Sequence, residues 1–245
     1  MELFEAMKAR HSVRAYTGKE IEENTQDELR HVIDECNRRS GLHIQLCTGE
    51  QNAFSGFAAR YHGFRNVGNY IALVGARDGS MDEKCGYYGE KIVLKAQQLG
   101  LNTCWVSMAQ VRHSVTQGVV SQKVSIHPGE KLLMVIAVGY GETDGFSHAV
   151  TPVEALCRLD GAMPEWFRTG VRAAQLAPFY GNRQRFHFQL YGNMVRALAG
   201  PGRYAKVELG IAKYHFESVA GQIGWQWEKS DPPVRKPNMG MMHPT

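Results

Sequence analysis

The sequence is poor in cysteine and has no two cysteines close together. Its five, Cys36, Cys47, Cys85, Cys104 and Cys157, include no CxxC spacing, which argues against both a cysteine zinc site and the disulfide framework of a small secreted domain. A reducing compartment fits that usage. Also missing is any run approaching the roughly 20 apolar residues of a membrane span. The opening stretch MELFEAMKARHS lacks the apolar core of a signal peptide, so the expected location is cytoplasmic. Basic residues form no long block: 28 Lys and Arg against 24 Asp and Glu leave a net charge of +4, too small and too dispersed to make nucleic acid the default partner. A small anionic ligand stays open. No glycine-rich dinucleotide fingerprint follows a strand-like stretch, and no carboxylate pair, nucleophile triad or metal-ligand cluster stands out.

What is present is a chain of 245 residues, 43% hydrophobic and 21% charged, enough to bury a large core in one domain or two small ones. Leu3, Phe4 and Met7 share a face of a short helix that runs into KARHSVRAY. Leu29, Val32, Ile33 and Cys36 keep the i, i+3, i+4, i+7 spacing of a second helix, with Asn24 or Thr25 as cap and Gly41 as stop. LHIQLCT and NYIALVGA read as strands, and the Gly- and aromatic-rich stretch between them as a loop or irregular helix. Tyr88, Ile92, Ala96 and Leu99 predict a helix from Gly86 to Leu99, closed by Gly100. LNTCWVSM and KLLMVIAVGYG read as strands, the latter the strongest in the chain. PEWFRTGVRAAQLA predicts a helix with Pro164 in its first position and Phe167, Val171 and Ala174 on one face. RFHFQLYG then alternates as a strand, and the proline-rich residues 228–245 read as an extended tail. Helices and strands alternate without clean βαβ units, so the fold class is α+β.

Two stretches carry chemistry. Arg10, His11, Ser12 and Arg14 place two guanidiniums, an imidazole and a hydroxyl within five residues at a helix end. That set suits a phosphate, because an arginine fork matches phosphate oxygens; basic residues at a helix C-terminus also answer the helix dipole with no ligand at all. In APFYGNRQRFHF, Pro178 stiffens a turn, Gly181 allows unusual dihedrals, and Asn182 offers both donors and an acceptor to a planar polar ring. A plain helix-to-strand turn needs the same Gly and Pro.

Taken together, these stretches resemble the nitroreductase-like flavoprotein family. RHSVRAY is similar to the family's R-[RH]-S-x-R/K-x-[FY] phosphate motif at every position, and APFYGNRQRF keeps Ala177, Pro178, Asn182 and Gln184 of its A-P-S-x-x-N-x-Q-P turn, with Phe179 in place of the serine. GYYGEKIVLKAQQLGLNTCWV resembles the family segment whose backbone amides face the flavin. Residues 1–225 as a whole are similar to the TM nitroreductase-type branch, where PEWF, the AP…N.Q.F.F turn and GIAKYHFE occur.

The resemblance implies a nitroreductase-like α+β fold with a central, mostly antiparallel sheet flanked by helices. It also implies FMN as cofactor, NAD(P)H as reductant and an electron-poor small-molecule acceptor, nitroaromatic or quinone-like, with no nucleic-acid or membrane partner. Arg10, His11, Ser12 and Arg14 then hold the phosphate. Trp105, Val106 and Ser107 lie beside the ring, Arg65 with Asn66 on its pyrimidine edge, and Pro178, Phe179, Tyr180 and Asn182 on the opposite wall. No side chain is implied as catalytic, since the flavin performs the chemistry. The turn stands in the second half of the chain instead of a few tens of residues after the first motif. CGYYGEKIVLKA and LGIAKYHFESVA share glycine, aromatic and helical spacing. The expectation is therefore internal duplication: residues 1–157 as a first half, 158–227 as a degenerate second half that completes the flavin site, and a monomer that mimics the family dimer. Val150 and Thr151 stand where many members have a basic pair, with His148 as a partial substitute. His215 and the aromatics Phe179, Tyr180 and Trp105 have two readings, core or substrate contact. A non-catalytic flavin carrier or sensor, and a basic nucleotide-binding module, are the alternatives.

Overall fold

The two strongest apolar runs become interior strands because each is covered on both faces. In the computed structural model, which describes residues 1–51, 53–54, 63–107, 123–181, 184–221 and 224–228, β2 (Tyr70–Ala76) pairs antiparallel with β4 (Glu130–Gly139), with a register irregularity between Leu73 and Val74. β1 (Gln45–Cys47) and β3 (Asn102–Ser107) complete an all-antiparallel sheet in the order β1-β2-β4-β3. Along β2 and β4 the side chains alternate between two cores. Ile71, Leu73, Met134 and Ile136 enter the main one; Tyr70, Ala72, Val74, Val135 and Ala137 enter a smaller one with Phe54 and Phe64. Cover on both faces explains why these strands read as continuous apolar runs.

Helix α1 (Leu3–Ala9) buries Ala6 and Met7. Phe4, expected on that face, is 38% exposed and lies under the Lys8 ammonium. Helix α2 (Glu23–Ser40) buries Leu29, Ile33 and Cys36 and stops at Gly41 in the left-handed region. Its cap is Glu22, without a side-chain bond, so neither Asn24 nor Thr25 serves. Helix α3 (Met81–Gln98) begins five residues before the expected Gly86. Asp78 Oδ1 accepts the N–H groups of Ser80 and Met81, each at 2.8 Å, and starts the helix there.

After the short helix α4 (Val153–Leu156), a second sheet runs β5 (Cys157–Leu159), β6 (Phe186–Tyr191), β7 (Met194–Ala199) and β8 (Gln226–Trp227). β6 and β7 are antiparallel; β5–β6 and β7–β8 are parallel. The expected single central sheet is thus two four-stranded sheets, and β5, β7 and β8 are additions to the elements expected from sequence. Helices α5 (Glu165–Gln175) and α6 (Ala205–Ala220) pack with this sheet, and Pro164 sits one position before α5 as its cap. Phe167, Phe188 and Phe216 meet there, with ring centroids 4.9 and 5.6 Å apart. One core cluster extends from Ile21 and Leu29 through Ile136 to Phe188 and Phe216, so the two sheets share an interior. All five cysteines are free. No helix among the described residues is long and apolar enough to cross a membrane. The expected tail, residues 228–245, lies outside the described residues beyond Glu228, as do residues 52 and 55–62 of the stretch between β1 and β2.

Helices α3 and α6 cross backbone to backbone. A Cβ on Gly86 would stand 2.0 Å from the Val207 carbonyl oxygen, and one on Gly210 would stand 2.0 Å from that of Glu83. Val207 precedes Gly210 by three residues, as Glu83 precedes Gly86, so the crossing is symmetric in its contacts.

Candidate active site

Beyond α1 the chain runs extended along β3. Val13 N–H donates to the Thr103 carbonyl at 3.0 Å and Tyr16 N–H to that of Arg65 at 3.1 Å. The period of two sends Val13 into the interior and leaves Ser12 and Arg14 on the open face, while Tyr16, also buried, falls outside that alternation. There they border a cavity of about 230 Å³ with Trp105, Ser107 and Met134. Pro178, Phe179, Tyr180 and Gly181 form the facing wall, and Tyr204, Val207, Glu208 and Ile211 of α6 close it. The turn's position is fixed from behind: Gln184 Oε1 accepts Thr151 N–H at 3.0 Å, and its Nε2 donates to Gln175 O at 2.8 Å.

Beneath the cavity is a buried polar network drawn from four elements. Glu90 of α3 is fully buried; its Oε2 accepts the Trp105 indole N–H at 3.0 Å and its Oε1 lies 2.9 Å from His215 Nε2. His215 Nδ1 faces the Ala173 carbonyl at 3.0 Å. Both nitrogens of His215 therefore lie against oxygen atoms. Arg10, only 3% exposed, places its Nε 3.8 Å from the same Glu90 oxygen. That nitrogen has no hydrogen-bond partner. Burial lowers the Arg10 pKa, with Glu90 opposing.

His11 and His148 stand in the same field. Burial lowers the His11 pKa, Arg10 adds to this, and Asp144 opposes it. For His148 burial also dominates, a bond to the Gln175 carbonyl opposes, and Arg10, His11 and His215 push further down. Burial is the leading cause at both histidines, the Arg10 charge adds to it, and Glu90 and Asp144 are the carboxylates that act against the positive charge here.

Residues 2–220 match the family model described as "Putative TM nitroreductase". The chain belongs to this family. No curated protein matches it. Among solved structures, a putative nitroreductase from Thermotoga maritima is similar at a TM-score of 0.61 and 22% identity, over 89% of this chain and 83% of that one. A putative nitroreductase in complex with FMN from Desulfovibrio desulfuricans gives 0.52 at 18% identity, over 67% of this chain and 99% of that one. An FMN and NADPH-dependent nitroreductase from Sphigopyxis sp. strain HMH gives 0.52 at 15% identity, over 66% of this chain and 100% of that one. At these identities the likeness is one of fold, and it bears out the α+β nitroreductase-like architecture.

For this nitroreductase-family chain, the structure brings together at the cavity Ser12, Arg14, Trp105, Ser107, Pro178, Phe179 and Tyr180 of the residues expected there. Arg10 lies in the interior beside Glu90. Val106 is fully buried opposite Val135, on the other side of the pleat from its cavity-lining neighbours. Arg65 is misplaced by the sequence reading: its side chain is exposed and pairs with Glu142 at 2.8 Å. Asn66, at φ 52°, donates to the Tyr16 carbonyl and borders a separate cavity. Asn182 lies outside the described residues. His215 is a core residue. Glu208 and Tyr204, which line the cavity, carried no signal in the sequence, where a glutamate in a helix looks like a solvated position.

Proposed function

We propose that this chain is an FMN-dependent oxidoreductase that passes reducing equivalents from NAD(P)H to an electron-poor acceptor, nitroaromatic or quinone-like, at one flavin site built by both halves of one polypeptide. The observation that carries this reading is the cavity walled by Ser12 and Arg14 on one side and Pro178 to Tyr180 on the other. Its residues fit the cofactor. The unpartnered, buried Nε of Arg10 and the cationic surroundings of His11 and His148 answer a phosphate, with the Ser12 hydroxyl and the Arg14 guanidinium as further donors. Trp105, Ser107, Pro178, Phe179 and Tyr180 offer walls for a planar ring. Bound FMN supplies the redox chemistry, and the protein supplies orientation and electrostatics. Met134 and Phe179 line the space beside the ring, and the Arg10 and Arg14 guanidiniums favour negative charge near it.

The second half takes the place of a partner subunit in this reading. Both halves run helix, two antiparallel strands, helix, strand: α2-β1-β2-α3-β3 and α5-β6-β7-α6-β8. Shifting by the 124 residues that separate Gly86 from Gly210 carries cavity residues Tyr204, Val207, Glu208 and Ile211 onto Ser80, Glu83, Lys84 and Tyr87. Those four line a groove on α3 with Trp227. There Lys213 bonds Glu83 at 2.6 Å and lies over the Trp227 ring at 4.9 Å. Among the described residues, nothing that lines this groove corresponds to Ser12 or Arg14. One FMN per chain is the expected stoichiometry.

An absorbance spectrum of the purified protein tests the reading, with flavin bands expected to bleach on adding NADPH or NADH and to return with an acceptor. Stable bands that no nicotinamide bleaches indicate a carrier instead, and a protein that takes up no FMN overturns the proposal. Arg10→Ala/Ser12→Ala is expected to weaken FMN binding by roughly 10- to 150-fold, since losing a charge-assisted bond costs about 1.5–3 kcal/mol. Titration of the apo-protein measures it, and an unchanged affinity removes the phosphate assignment.

A further inference from the structure

Two polar atoms in the wall of the cavity have no hydrogen-bond partner although they are buried: Glu208 Oε2 and the Tyr204 hydroxyl. The residues are 3% and 6% exposed and both line the cavity. A buried polar atom left unpaired is costly, and a ligand in the cavity that these two residues line would offer each a partner. From this geometry we infer that Glu208 and Tyr204 form the recognition site for the electron acceptor, and that the site takes an uncharged acceptor through its nitro or carbonyl oxygen. The inference rests on reading this cavity as the flavin and acceptor site.

The chemistry of the oxygens decides the polarity. Glu208 Oε1 already accepts the Tyr180 N–H at 2.9 Å and faces Arg185 Nη1 at 3.4 Å. A proton on the carboxyl therefore sits on Oε2, the oxygen without a partner, where it can donate to a ligand. Burial raises the Glu208 pKa, with the Tyr180 N–H and Arg185 opposing, which favours this protonated form. Arg185 also donates to the Tyr180 carbonyl at 3.0 Å, so its charge is shared with the turn. Of the other charges nearby, Arg14 is on the cavity's first-half wall, Arg203 lies over the Tyr204 ring, and Glu83 across the helix crossing is bonded to Lys213. With the hydroxyl of Tyr204, the site offers two donors to an acceptor oxygen. An anionic ligand meets the Glu208 carboxylate once it ionises. The counterpart groove has Lys84 and Ser80 at these positions, so the pair belongs to the cavity alone.

Binding of two matched probes to the FMN-loaded protein tests this: neutral 4-nitrobenzamide and anionic 4-nitrobenzoate, titrated calorimetrically between about pH 5 and 8. Nitrobenzamide affinity is expected to fall about tenfold as pH rises and Glu208 loses its proton, equivalent to one hydrogen bond. Nitrobenzoate is expected to bind at least tenfold more weakly at the upper pH. Glu208→Gln keeps a donor on the same atom and cannot ionise. It should hold the low-pH nitrobenzamide affinity across the range and narrow the gap between the probes. Tyr204→Phe should weaken nitrobenzamide about fivefold at every pH. The same pH profile in Glu208→Gln as in the unsubstituted chain, or equal affinity for the two probes at the upper pH, overturns the assignment. Flavin absorbance in the same samples separates the outcomes. Absence of FMN overturns the flavin reading; FMN retained with an unchanged Glu208→Gln profile overturns only the role of Glu208 and Tyr204.

Discussion

Replacing Gly86 by alanine is expected to destabilise the protein by about 2–4 kcal/mol, seen as a fall of roughly 5–15 °C in Tm or a lower denaturation midpoint at unchanged slope. Two terms oppose each other. Alanine is a better helix former by up to about 1 kcal/mol. Its Cβ, however, would stand 2.0 Å from the Val207 carbonyl oxygen and 3.1 Å from the Ile211 nitrogen. Both are backbone atoms of α6, so no side chain can turn away to make room. The helices must separate, and with them the core they share across the two sheets, at the upper end of overpacking costs. Gly210→Ala should behave alike, because its Cβ would meet the Glu83 carbonyl at the same distance. A methyl added at Gly79 would have nothing within 4 Å, and that residue has no left-handed φ, so Gly79→Ala should stay within about 0.5 kcal/mol. Equal stability of the Gly86 and Gly79 variants would falsify the backbone-contact argument.

The second large effect is a failure to complement. One chain carries Ser12→Ala/Arg14→Ala and the other Pro178→Ala/Phe179→Ala, each expected to lose at least tenfold in FMN-dependent activity. These residues face one another across a single cavity of a single chain. In a mixture every cavity therefore carries one lesion or the other, and activity should equal the average of the two defective chains. A site shared between subunits behaves differently: a mixed dimer holds one doubly damaged site and one intact site. Activity that rises on mixing, after time for subunit exchange, shows that the turn at Pro178 serves a neighbouring chain and sinks the self-contained reading.

How far the site is legible without the fold depends on where its parts lie in the chain. Arg10 to Tyr16 is legible because strand alternation acts over a few residues: Val13 inward, Ser12 and Arg14 outward, needs no distant information. The same alternation also governs Val106, whose side chain is turned to the core while Trp105 and Ser107 line the cavity; the expectation for Val106 concerns its backbone amide. The direction of the Arg65 side chain is decided by Glu142, 77 positions away. β7 is hard to read because Met194 and Leu198 are exposed apolar residues that blur its pattern, and β8, two residues long, offers no periodicity at all.

The sequence by itself determined the fold class, the family, the two apolar strands at the centre of the first sheet, and the two motifs that face each other, because each is written in adjacent residues with a fixed local period. Only the tertiary structure decided that Arg10, Glu90, Trp105 and His215 form one buried network and that Glu208 and Tyr204, each with an unsatisfied polar atom, line the same cavity as Ser12. The reason is physical. Burial turns a solvated charge into a group that must find a partner, and which groups become buried together depends on the crossing of α3 and α6, where Gly86 and Gly210, 124 residues apart, each let the other helix's backbone approach.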